Sequence, residues 1–157
     1  MLKNLRPIII SGKEVLPLIE GGKGVAVSNG PSSGSWAAAG GVGTFSGVNA
    51  DDFREDGSVI RQVYKGKTRK ERHQELIDYG IKGGIKQAQI AHEVSSGKGR
   101  IHINILWEMG GAQKILESIL DKTRGMVHGV TCGAGMPYKL AEIASKYNCK
   151  ILGDSET

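Results

Sequence analysis

Between Gly24 and Gly47 the chain reads GVAVSNGPSSGSWAAAGGVGTFSG, and few folds accommodate such a stretch. The short apolar run Gly24–Ser28 predicts a strand. A turn of Asn, Gly, Pro and Ser follows, then a small-residue helix over Ser35–Ala39 closed by Gly40-Gly41, then a second strand over Val42–Phe45. Continuous apolar strands suit a parallel sheet buried on both faces. The turn falls at the end of the first strand, where backbone amides in α/β proteins meet ligands.

The remainder repeats the alternation. Residues 1–20 read as an opening ribbon, with Pro7–Ile10, a turn at Ser11–Lys13 and then Val15–Ile19. Residues 48–64 are polar and irregular, an excursion above the sheet. A long helix is expected from about Thr68 to Glu93, started by the Thr68/Glu71 capping-box pattern and bent or split at Gly83-Gly84. Arg100–Leu106 (RIHINIL) alternates strictly, with Ile101, Ile103 and Ile105 on one face and His102, Asn104 and Leu106 on the other. Ala112, Ile115, Leu116, Ile119 and Leu120 keep a helical period. Met126–Thr131 predicts a fourth strand, Pro137 the first turn of a further helix to Tyr147 with Asn148 as its cap, and Cys149–Leu152 a fifth strand. Strands alternating with helices imply a parallel α/β sheet in one domain over residues 1–157. Two architectures fit: an open doubly wound sheet, or the N-terminal half of a (β/α)8 barrel, which needs about 250 residues.

Composition narrows the function classes. The net charge is +5, much of it in Lys65–Arg72 (KGKTRKER). That run lacks interleaved aromatics and holds Glu71, so it reads as a solvated helix start and not as a nucleic-acid face. Two cysteines make no disulfide framework or metal spacing. The N-terminus is no signal peptide, and nothing approaches the ~18 apolar residues of a membrane span. A reduced, cytoplasmic protein is expected.

Several constellations bear on chemistry. Gly30-Pro31-Ser32-Ser33-Gly34 matches the G-x-S-x-G elbow that would make Ser32 a hydrolase nucleophile. However, it follows the first parallel strand, and Pro31 restricts a turn that must be strained. The same small-residue turn suits an anion or the edge of a planar ring. No P-loop or complete G-x-G-x-x-G is present. Asn104 is an amide inside an apolar strand, either satisfied internally or aimed at a ligand. His73, His92, His102 and His128 form no metal-ligand pair. Cys132, at a strand end, reads as a small buried filler.

Taken together, VAVSNGPSSGSWAAAGGVGTFSGVNAD, RIHINILWEMGG and HGVTCGAGMPYKLAEIA resemble the nitronate monooxygenase (2-nitropropane dioxygenase) family, in its longer bacterial branch. The resemblance extends to about Asn148. It implies a (β/α)8 barrel with FMN at the C-terminal ends of its strands, and oxidation of alkyl nitronates with O2 to a carbonyl compound and nitrite. By the same resemblance Asn29, Gly30 and Pro31 back the flavin ring, Asn104 contacts FMN, and Thr131 lies near the flavin. Gly41 and Gly43 match a packing turn.

The family's FMN-phosphate loops and its catalytic His belong to a second half that this sequence does not contain, so no catalytic residue is expected here. The tail Ile151–Thr157 does not resemble the family. Three states follow as expectations: a non-catalytic remnant, one half of a barrel completed by a second chain, or a self-associating half-barrel.

Overall fold

The computed structural model describes residues 4–151. The opening ribbon is an antiparallel hairpin of β1 (Ile8–Ile10) and β2 (Lys13–Val15). After it the chain alternates: α1 (Gly30–Ala38), β3 (Val42–Ser46), α2 (Arg69–Ser95), β6 (Arg100–Leu106), α3 (Ala112–Lys122), β7 (Gly129–Gly133), α4 (Leu140–Lys146) and β8 (Lys150–Ile151). The excursion between β3 and α2 carries a small hairpin of β4 (Asp52–Phe53) and β5 (Val59–Ile60).

The main sheet is parallel in the order β3-β6-β7-β8. A further parallel bridge joins Ile19 to Val42 on the outer side of β3. There Val42 N donates to Leu18 O and Glu20 N to Val42 O, both at 2.8 Å. The segment Leu18–Glu20 therefore holds the position of a first parallel strand, and the order along the sheet follows the order along the chain without reversal.

This corrects the expectation for Gly24–Ser28. That run is a turn, with Val25 and Val27 about 60% exposed (59% and 61%). It is held by its own polar groups: Lys23 N donates to Ser28 Oγ at 2.9 Å and Ser28 N to Lys23 O at 3.2 Å. The apolar run looked like a strand, but the backbone hydrogen bonds of β3 had already been taken by the residues ahead of it.

The core lies between the sheet and its helices. Ile101, Ile103 and Ile105 are fully buried, and they share one cluster with Phe45, Val130 and the Ile115, Leu116 and Ile119 face of α3. Each such side chain contributes about 1.5–3 kcal/mol through removal from water. The alternation in β6 thus predicts its helix-facing side correctly.

The helix α2 is continuous through Gly83-Gly84, against the expected bend. A Cβ at Gly83 would run into the Ala50 carbonyl, and one at Gly84 into Ile119 of α3. The glycines let neighbours approach and do not interrupt the helix. The Thr68/Glu71 capping box forms as the sequence predicts. Strand β7 starts and ends later than expected, and α4 begins at Leu140, past Pro137. Asn148, just past α4, takes the left-handed conformation (φ 56°) that such a cap requires. Leu152 and the tail to Thr157 lie outside the described residues, as do Met1–Lys3.

Candidate functional site

The face of the sheet away from the core cluster is polar. Register sets its rows: Thr44, His102 and Gly129 lie side by side, and Ser46, Asn104 and Thr131 form the next row toward the strands' C-terminal ends. Both rows follow from the period-two alternation that sends the isoleucines of β6 the other way.

The lower row is sealed. His102 is fully buried, and its Nε2 lies 2.9 Å from Ser11 Oγ in the turn of the β1–β2 hairpin. Arg100 Nε donates to Ser11 O at 2.9 Å, pinning the same turn. Burial, with smaller contributions from His128 and Arg100, pushes the His102 imidazole down to about 4. His128 is also pushed down to about 4, mainly by burial and by Arg100. Its Nδ1 accepts from Ile101 N at 3.1 Å. Both rings are therefore neutral near pH 7.

The upper row is partly open. Thr131 Oγ1 donates to Asn104 Oδ1 at 3.2 Å, and Ile103 O lies at 3.4 Å as its alternative acceptor. Asn104 Nδ2 has no hydrogen-bond partner among the described residues. Gly22 packs directly on the Asn104 side chain, so closely that a Cβ there would overlap Asn104 Cβ and Cγ. The turn after Glu20 reaches across β3 onto β6 for this contact. It is fastened to the end of β3 by Ser46 N donating to Ser28 O (2.9 Å) and Ala26 N to Val48 O (3.3 Å).

Asn29, Gly30 and Pro31 sit elsewhere, at the start of α1. Asn29 is its N-cap, and its Oδ1 accepts from Ser32 N at 3.0 Å. Gly30 N donates to Gln87 Oε1 of α2 at 2.6 Å, and a Cβ on Gly30 would press on the Gln87 carbonyl. Pro31 is exposed in the first turn. The structure thus brings Asn104 and Thr131 into contact, while the polar groups of Asn29 and Gly30 are engaged in holding α1 to itself and to α2.

Ser32 is engaged as well. Its Oγ donates to Glu20 Oε1 at 2.8 Å and accepts from Asn29 N at 3.2 Å, completing a capping box. No histidine contacts it among the described residues, so this serine has no base of the hydrolase kind. Glu20 is a buried carboxylate, and its Oε2 accepts from Thr44 N at 3.0 Å. It ties the first strand, α1 and β3 together. Glu20 and Gly22 were both missed as site-forming residues. The readable signal was Gly21-Gly22 placed one residue after the apolar run Leu16–Ile19, which marks a strand end as clearly as Asn29-Gly30-Pro31 does.

The cysteines are not activated. Burial raises the Cys149 thiol to about 11 and moves Cys132 upward too. Among the described residues no three His, Cys, Asp or Glu side chains are placed to share a metal ion, and no helix is long and apolar enough to cross a membrane. No family model, curated protein or solved structure matches the chain.

Proposed function

We propose that this chain supplies the N-terminal half of an FMN-dependent oxidoreductase barrel of the nitronate monooxygenase type, with the flavin phosphate held by residues other than these. Support for the half-barrel comes from strand order. Five parallel segments, from Leu18–Glu20 through β8, are neighbours in chain order with a helix between each pair. A doubly wound sheet reverses its strand order at a switch point, and no such reversal occurs here.

The observation that carries the functional reading is the contact of Gly22 with Asn104, beside Thr131. A glycine turn lies against an amide at the C-terminal end of a parallel strand. The amide's oxygen takes the Thr131 hydroxyl, which leaves its NH2 free to donate to the edge of a ring. Val25 and Val27 add exposed apolar surface on the same turn, as a planar ring requires. FMN bound there would take electrons from a nitronate and pass them to O2. The residues of this mouth fit the ring, and Lys23 is an exposed cation on the same turn.

The test is flavin uptake. Purified protein, alone and co-expressed with the product of the adjacent downstream reading frame, is titrated with FMN and followed by visible absorbance and flavin fluorescence. Uptake by the co-expressed pair is expected, weakened at least about tenfold by Asn104→Ala, since the lost group donates to a desolvated acceptor. A colourless product in both preparations, unaffected by added FMN, overturns the reading and leaves a non-catalytic remnant.

A further inference from the structure

Residues 61–76 (RQVYKGKTRKERHQEL) hold six Lys and Arg against two Glu, in a chain whose whole net charge is +5. The sequence offers Glu71 and Glu75 as neutralising partners for that run. In the folded chain both carboxylates turn to the backbone. Glu75 accepts from Lys65 N (3.1 Å to Oε2) and Gly66 N (2.9 Å to Oε1). Glu71 Oε2 accepts from Lys67 N and Thr68 N, both at 2.8 Å. Bonds to Thr68, then to Lys67, hold the Glu71 carboxyl below its ordinary range. Arg72 in turn donates through Nε to Gly66 O at 2.9 Å.

Arg69 and Lys70 are left exposed, with no ion pair and no side-chain hydrogen bond among the described residues. They border an open groove of about 660 Å³, lined also by Tyr64, Arg72, His73 and Leu76. The β6–α3 loop approaches His73, close enough that a Cβ on Gly110 would lie 2.8 Å from His73 Cε1. Tyr64 is 49% exposed, so its ring has room for a partner.

We propose that this groove binds a nucleoside polyphosphate, with its phosphates on Arg69 and Lys70 and its base against Tyr64. The guanidinium offers paired donors to phosphate oxygens, and the ammonium adds a compact charge beside it. Tyr64 and Leu76 supply the apolar surface a base needs. A nucleic-acid strand would require stacking rings repeated along a longer groove, and this lining holds two rings, Tyr64 and His73. No residue of the lining is shared with the flavin reading, on which this groove does not depend.

Fluorescence anisotropy with a fluorescent ADP analogue tests the proposal. Saturable, salt-sensitive binding is expected, displaced by ADP and not by adenosine. Arg69→Ala with Lys70→Ala weakens it at least about tenfold, and Tyr64→Ala at least about fivefold, while Tyr64→Phe retains it. Lys82→Ala leaves it unchanged. All changes near the groove are on exposed side chains, and circular dichroism checks each variant's fold. The proposal is overturned by absence of saturation up to about 1 mM. It is also overturned by equal loss in Lys82→Ala, which marks diffuse electrostatics, or by tighter binding of a single-stranded oligonucleotide than of ADP.

Discussion

His102 and Asn104 project from the same face of the same strand, one alternation apart, yet their surroundings differ in kind. His102 is sealed beneath the β1–β2 hairpin, with its Nε2 on Ser11 and its charge suppressed. Asn104 lies one row nearer the strand ends, with its oxygen on Thr131 and its NH2 free among the described residues. The lower row is buried, with Thr44 Oγ1 and His102 Nδ1 lacking a partner among the described residues, and the upper row leaves the Asn104 NH2 partly exposed. Alternation alone cannot distinguish them, because what separates the rows is a hairpin some ninety positions away in sequence (Ser11 and His102 are separated by 91).

The largest expected consequence falls on the sealed row. An unfolded imidazole titrates near 6.5, whereas folded His102 titrates at about 4. Between these values the unfolded chain binds more protons. Stability that is present above about pH 6.5 is therefore lost as pH falls toward 4, by an amount on the order of 3 kcal/mol for this group. Urea unfolding at several pH values across that window measures the slope. Because His128 shifts in the same direction, His102→Gln should make the slope shallower without abolishing it. Parallel slopes for wild type and variant would mean that His102 is not sealed, and the contrast would collapse.

Next in size is the turn that meets the open row. Gly22→Ala forces a methyl group into Asn104, and overpacking of this kind costs about 1–3 kcal/mol. Denaturant midpoints give the cost, and the flavin titration of the same variant should show greater loss than its stability alone explains. A variant with wild-type stability and wild-type uptake would detach Gly22 from the site. Smallest is Thr131→Val, which removes the hydroxyl from Asn104 Oδ1. A single hydrogen bond at a partly open position is worth about 0.5–1.5 kcal/mol. The expected result is a slight stability change with a few-fold weaker flavin affinity, as the Asn104 amide loses its fixed orientation. Unchanged affinity would leave Thr131 with a structural role only.

Much of this arrangement was legible in the sequence where one residue's neighbours decide its fate. The alternating isoleucines of β6, the helical spacing of α3 and the Thr68/Glu71 cap are local patterns, and each folds as it reads. The first parallel segment was not legible. Leu18–Glu20 follows Pro17 and ends in a carboxylate, which looks like a solvated ribbon end. Only Ser32 and Thr44, well along the chain, make Glu20 a buried residue. Gly83-Gly84 misled for the same reason, since the Ala50 carbonyl and Ile119 that require those glycines come from other elements. The Asn104–Thr131 contact depends on the β6–β7 register, which residue spacing alone does not set.

The plug made by Ser11 gives the sheet a closed end and an open one. A ligand at Asn104 has Gly22 and the Lys23–Ser28 loop on one side of it. The rate of exchange at that amide would then depend in part on how often a loop bonded mainly to itself and to the end of β3 lifts away. A ligand's residence time could in that case be lengthened by stiffening this loop, without altering a single atom that the ligand touches.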